Sequence, residues 1–207
     1  ESLDGRFPAH FVVETDPQGT GHAVLEACRR MPALAEPGLT LLVTEGTQAM
    51  MQRATLIKSL LIHEALADAA MTMPTARKER PYAYLVRDEH GFVADSRETR
   101  LENAEIIDDG EDNVSVYLVR SEDLLPALEH ARGRSLDPAT GRYRLGQLGF
   151  PNEMVKSLRS LGRLVLGLCF ADVREAQSIK YAEDVQKIEQ YLREISGAAP
   201  STPQSRE

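Results

Sequence analysis

The chain has 207 residues, 42% of them hydrophobic and 27% charged, with a formal net charge of -8. That balance is the one of an ordinary globular domain long enough to bury a sizeable core, and its acidity argues against a nucleic-acid partner, which needs a basic face. No apolar run approaches the roughly 18 residues of a membrane span and no basic-then-apolar signal segment is present, so no membrane and a cytoplasmic location are expected.

Taken in chain order, the first residue is Glu1 rather than Met and the apolar stretch HFVVET follows at once, which suggests that an amino-terminal portion is missing. Alternation and β-branched residues predict strands near His10 to Glu14, Leu39 to Thr44, Ala70 to Pro74, Tyr82 to Asp88, Phe92 to Asp95, Val114 to Val119 and Leu164 to Phe170. Between them, helical spacing predicts a helix from His22 to Met31 with Val24, Leu25, Ala27, Cys28 and Met31 on its inner side. A second runs from Gln52 to Ala69, with Leu56, Ile57, Leu60, Leu61, Ala65 and Leu66 inward. Ser121 is placed as the N-cap of a third through Arg132, with Glu122 and Asp123 favourable in its first turn. A last helix, Ala182 to Ile195, carries Val185, Ile188, Tyr191, Leu192 and Ile195 as its buried stripe.

Strands alternating with helices predict a parallel sheet covered on both faces, but Glu89-His90-Gly91 joins its flanking strands as a hairpin, so a mixed sheet is expected. Cys28 and Cys169 stand far apart without a CxxC or a neighbouring His, and are expected as two buried thiols. The segment GAAPSTPQSRE, residues 197 to 207, has small and polar residues with two prolines and is expected to be a disordered tail, leaving 1 to 196 as one domain.

Gly19-Thr20-Gly21 falls between an expected strand and helix, where small residues let backbone approach a ligand closely. By itself such a turn is more often only a turn. Its surroundings carry more information. Pro17-Gln18-Gly19-Thr20-Gly21-His22-Ala23-Val24 is followed by Leu41-Leu42-Val43-Thr44-Glu45-Gly46-Thr47, then by the hairpin from Tyr82 to Gly91. Asn113-Val114-Ser115-Val116-Tyr117 comes next, and Ser178-Ile179-Lys180-Tyr181-Ala182-Glu183-Asp184-Val185 closes the series.

In this order, over Phe11 to Leu192, these segments resemble the sugar-1-phosphate nucleotidyltransferases, in particular the uridylyltransferase domain of bacterial N-acetylglucosamine-1-phosphate uridylyltransferase. The resemblance implies a Rossmann-like α/β/α fold with a mixed, mostly parallel sheet that lacks its first βα unit, since nothing like the family's Gly-rich phosphate loop is present. It also implies a nucleoside triphosphate and a sugar phosphate as ligands, with release of pyrophosphate. Gln18, Gly19, Thr20 and Gly21 then correspond to nucleotide contacts, and Tyr82, Ala83, Glu98 and Asn113 to the sugar pocket. Pro17 stands where the family has its base-reading Gln, and Tyr82 with Tyr84 reads equally as a cross-strand packing pair. His22 reads as a helix-start residue rather than a catalytic base.

The resemblance implies Mg²⁺ as cofactor, yet Thr47 and Lys180 occupy the family's metal-ligand positions. Mg²⁺ takes carboxylate and other oxygen ligands, whereas Thr47 offers a neutral hydroxyl and Lys180 has no acceptor at all. Lys180 is instead a candidate for direct contact with a phosphate. Three functions stay open: a nucleotide or nucleotide-sugar binder with altered metal positions and weak turnover, an active Mg²⁺-dependent uridylyltransferase when full length, and a noncatalytic scaffold.

Overall fold

The computed structural model describes residues 9 to 196. The helices are α1 (Thr20–Arg30), α2 (Arg53–Ala65), α3 (Ser121–Ser135), α4 (Phe150–Ser160) and α5 (Ala182–Ser196), and single 3-10 turns cover Pro32–Ala35 and Val173–Ala176. The strands are β1 (Thr40–Thr44), β2 (Ala69–Glu79), β3 (Ala83–Arg87), β4 (Val93–Glu98), β5 (Asp109–Asn113), β6 (Val116–Arg120), β7 (Leu136–Asp137), β8 (Arg142–Tyr143) and β9 (Leu164–Cys169).

The mixed sheet is present, and it is built around β2. β6 runs antiparallel between β1 and β2, β5 pairs antiparallel with the second half of β2, and β9 pairs parallel with its first half. Parallel pairing is thus confined to β2 with β9 among the described residues, so the sheet is less parallel than expected. The connections explain this: β5 and β6 follow one another along the same edge of β2, which fixes both antiparallel to it. They are offset at Val114 and Ser115, where Ser115 takes a φ of 59. β3 and β4 form the expected hairpin, with Ala83 opposite Glu98.

Alternation along β2 divides the molecule into layers. Met71 and Met73 enter the main core with Leu25 and Cys28 of α1, Leu124 and Leu128 of α3, and Phe150, Met154 and Leu158 of α4. Thr72, between them, faces the opposite way and meets His63 of α2. α2 therefore covers the second face, which completes an α/β/α sandwich.

Several expectations are corrected here. His10 to Glu14 forms no strand, and Phe11 and Val13 are exposed, because no neighbouring strand takes their hydrogen bonds. α2 is turned relative to its apolar pattern: Thr55, Ser59 and His63 are buried, while Ile57, Leu60, Leu61 and Leu66 are exposed. The buried polar groups are held by hydrogen bonds, Thr55 to Glu175, Ser59 to the Thr55 carbonyl and His63 to Thr72. On α5 only Ile188 and Tyr191 of the expected stripe are buried, and Val185, Leu192 and Ile195 are exposed. Ser121 lies inside α3 rather than capping it; its hydroxyl donates to the Glu36 carbonyl and accepts from the Leu39 N–H. Cys28 is buried as expected, but Cys169, at the last position of β9, is exposed. The expected tail at 197 to 207 lies outside the described residues.

Candidate functional site

The turn before α1 is stitched to the segment that precedes α4. Leu148 N–H donates to the Gln18 carbonyl at 2.7 Å and Gly21 N–H donates to the Leu148 carbonyl at 2.8 Å. Gly19 takes a φ of 106, and a Cβ there would lie 2.6 Å from the Leu148 carbonyl oxygen. Both glycines thus pack closely on the Leu148 segment, and Gly21 is buried with its N–H engaged there. Thr20 accepts from the Phe150 N–H at 2.9 Å and faces a cleft. Gln18 points away, its amide reaching towards Asp16. His22 is fixed by Tyr143, 2.8 Å from Nδ1, and by Glu14.

The Thr20 cleft has a volume of about 390 Å³ and runs between α1 and the end of β1, with Ala23, Val24 and Val43 as apolar walls and Glu45, Gly46 and Thr47 at its rim. Thr47 also ties this rim to the closing segment: its carbonyl accepts the Ile179 N–H at 3.0 Å, and Gln48 bridges to Ser178. The Gln18 to Val24 corner and the Ser178 to Val185 entrance therefore lie on one side of the sheet's end.

A second cleft, of about 220 Å³, holds Tyr82, Asn113, Lys78, Asp112 and Lys180. Tyr117 separates the two. Its ring lines the first cleft beside Phe150, and its hydroxyl donates to Asn113 Oδ1 at 2.7 Å. Ser115 N–H donates to the same oxygen at 2.9 Å, so both acceptor positions of Asn113 are engaged, while its amide NH₂ faces Asp112 Oδ1 at 3.5 Å and has one further N–H to offer a ligand. Complete burial holds the Tyr117 phenol well above its ordinary value, which keeps it a donor. Sequence reasoning missed Tyr117 because a tyrosine in a strand reads as core; its fourth-neighbour spacing from Asn113 was the available signal.

Not every sugar-pocket candidate meets here. Ala83 is buried in the hairpin, and Glu98 opposite it lines a separate cavity of about 280 Å³ beside Asn152. Asn152 Nδ2 lies 3.4 Å from a Glu98 oxygen, and the Ser96 hydroxyl fixes the other end of that amide at 2.6 Å. Burial and then the nearby Glu102 push the Glu98 carboxyl up, while Arg100 and Lys180 pull it down. Glu98 thus stands at the edge of the cationic cluster without entering the Asn113 cleft.

Around Tyr82 the chain gathers cations. Lys180 Nζ lies 5.2 Å from the ring centre, Lys78 Nζ 5.7 Å and the Arg100 guanidinium carbon 5.2 Å. Burial, then Asp112, Glu45 and Glu98, push the Tyr82 phenol up to about 12, so it stays neutral. At the two positions in question Thr47 supplies a neutral hydroxyl and Lys180 an ammonium, whereas Mg²⁺ takes carboxylate and other oxygen ligands.

No family model matches the chain. It is 30% identical over 173 residues to the bifunctional protein GlmU of Lactobacillus delbrueckii subsp. bulgaricus, a match covering 83% of this chain and 35% of that protein. To the bifunctional protein GlmU of Pediococcus pentosaceus it is 28% identical over 174 residues, covering 82% and 34%. Over this stretch the chain resembles the sugar-1-phosphate nucleotidyltransferases. It spans about a third of the length of these curated relatives. The same fold is seen in HddC from Yersinia pseudotuberculosis, with a TM-score of 0.52 at 17% identity over 87% of this chain and 66% of that one. The nucleoside-diphosphate-sugar pyrophosphorylase from Vibrio cholerae RC9 is similar at a TM-score of 0.53 and 12% identity, over 86% and 67%.

Proposed function

We propose that this nucleotidyltransferase-like chain binds a nucleoside triphosphate or a nucleotide sugar across the two clefts that Tyr117 separates. In this reading the nucleoside lies in the Thr20 cleft, beside the turn that Gly19 and Gly21 shape, and the sugar lies against Tyr82 and Asn113. The observation that supports it is the shared wall: one side chain lines the first cleft and orients the principal amide of the second. The reaction such a site serves is nucleotidyl transfer. A sugar-phosphate oxygen attacks the α-phosphorus in line, the new P–O bond forms as the bond to pyrophosphate breaks, and pyrophosphate leaves with the electron pair. Cations and donors near those oxygens stabilise the developing charge.

The altered metal positions, Thr47 and Lys180, support a further element: the chain binds its ligands without ordinary Mg²⁺ coordination and turns over slowly or not at all as it stands. Thermal shift with a panel of nucleoside triphosphates and nucleotide sugars tests the binding. A ligand at one hundred times its Kd stabilises by about 2.7 kcal/mol. Pyrophosphate release tests the turnover, expected far below the about 10 s⁻¹ of a typical enzyme. No stabilisation by any of these ligands contradicts the reading, and rapid Mg²⁺-dependent release contradicts the altered-site element.

A further inference from the structure

Helix α2 is packed inside out, and its two halves are held by different means. Thr55, Ser59 and His63 are buried against the sheet, while Ile57, Leu60 and Leu61 face solvent. In the first half, the Glu175 carboxylate accepts from the Gln52 N–H and the Thr55 hydroxyl, and Leu56 packs with Ala76, Val114 and Val116. In the second half, from Ser59 to Ala65, only the polar side chains Ser59 and His63 are buried. That half is tied through His63 and its neighbour. His63 Nδ1 lies 2.8 Å from the Thr72 hydroxyl of β2. Arg120 of β6 donates to the His63 carbonyl at 2.7 Å and to the Glu64 carboxylate at 3.2 Å, and Glu64 also accepts from the Thr40 hydroxyl.

His63 Nε2 is buried with no hydrogen-bond partner among the described residues. A neutral imidazole with its proton on Nδ1 donates to Thr72 and leaves Nε2 as a bare acceptor. An imidazolium would bury a charged N–H with nothing to receive it, which is far more costly. The charged groups that bear on the ring are Arg120 from β6 and Glu64 from α2 itself, and β2 presents only the Thr72 hydroxyl. Burial, then Arg120, push the ring down to about 4, and Glu64 opposes them weakly because it is exposed.

We propose that the second half of α2 is an acid-released latch: protonation of His63 frees Ser59 to Ala65 from the sheet while Glu175 and Leu56 keep the first half in place. The response is local because the face released is polar, so little apolar surface loses its cover. The main core on the other side of β2 contains no α2 residue. The sign follows from the lowered value: the latch is fully closed above about pH 6.5 and is lost as pH falls through about 4. The inference is independent of the nucleotide reading.

Amide hydrogen exchange of the full chain at about pH 7 and about pH 4.5, expressed as protection factors so that the intrinsic rate at each pH is removed, tests the latch. Protection at Ile62, His63 and Glu64 is expected to fall by more than about tenfold on acidification, while Leu124 and Leu128 of α3 keep theirs. His63→Leu removes the titrating ring and is expected to leave the protection of Ile62 and Glu64 independent of pH. Should that variant fail to fold, His63→Gln, which can still donate to Thr72, serves in its place with the same expectation. Protection at the end of α2 that survives to about pH 4.5, a loss shared equally by α3, or a loss that persists in the His63 variant overturns the proposal.

Discussion

The Tyr117 hydroxyl donates to Asn113 Oδ1 at 2.7 Å from a ring that is itself buried against Phe150. It thereby turns the Asn113 amide so that its NH₂ faces the second cleft. Tyr117→Phe removes that donor while keeping the ring, and the predicted cost to stability is about 1 kcal/mol. Sugar-phosphate affinity is predicted to fall further than stability, by about fivefold or more, because Asn113 loses its orientation. Chemical denaturation beside titration separates the two effects; an unchanged affinity contradicts the assigned orientation.

Gly19→Ala tests the turn. Its φ of 106 disfavours any side chain, and the added methyl meets the Leu148 carbonyl at 2.6 Å. A loss of about 2–3 kcal/mol is predicted. An equal or higher melting temperature is incompatible with the packing described for this corner.

Glu175 is 1% exposed and anchors the start of α2. Its carboxylate accepts from Gln52 N–H and the Thr55 hydroxyl, each at 2.9 Å, and from Asp172 N–H at 3.1 Å. Glu175→Gln replaces one acceptor oxygen by a donor that faces donors. The predicted destabilisation is about 2–3 kcal/mol, read as a lower urea midpoint.

Two buried groups give opposing pH dependences. Burial pushes the Asp112 carboxyl from 3.8 up to about 6, against the pull of Lys78 and Lys180. Its contribution to stability is full below about pH 4 and is lost as pH rises through about 6, because the folded chain keeps a proton that the unfolded chain has released. Burial, then Arg120, push His63 from 6.5 down to about 4 against the weaker pull of Glu64. That contribution is full above about pH 6.5 and is lost as pH falls through about 4. Asp112→Asn is therefore predicted to raise stability at pH 7 by about 1–3 kcal/mol. The His63 slope then stands alone, with stability decreasing on acidification between pH 6.5 and 4. Urea midpoints at pH 4, 5, 6 and 7 check this; a variant less stable than the parent at pH 7 contradicts the assignment.

Elements with a strong periodic signal were legible in the sequence: α1, β1, the β3 and β4 hairpin, β9 and the extent of α5. β5 was not, because Asp109-Gly110-Glu111-Asp112-Asn113 has no apolar alternation. It is a strand because it pairs with Thr75 to Glu79 of β2, where Arg77 meets Asp109 and Lys78 meets Asp112 across the ladder. The face of α2 was misread for a related reason. Leucine spacing was taken to mark the inside, but Thr72, Glu175 and the His63 network supply polar partners on the sheet side, and these decide the rotation. The exposed Leu61 follows from that: Leu61→Glu is predicted to change stability by no more than about 0.5 kcal/mol, whereas Leu128→Ala in the core costs about 2–5 kcal/mol. At the proposed site, motif order points to the Gln18 to Gly21 turn and to Tyr82 and Asn113, while Tyr117 and the cations around Tyr82 depend on long-range pairing that no local pattern encodes.

Amide chemical-shift mapping of the full chain titrated with UDP-, dTDP- and GDP-hexoses tests the paired clefts most directly. At least one of these ligands is predicted to perturb Gly19 to Ala23 and Thr47 together with Tyr82, Asn113 and Lys180. Perturbations confined elsewhere, for instance to the exposed face of α2, contradict the account.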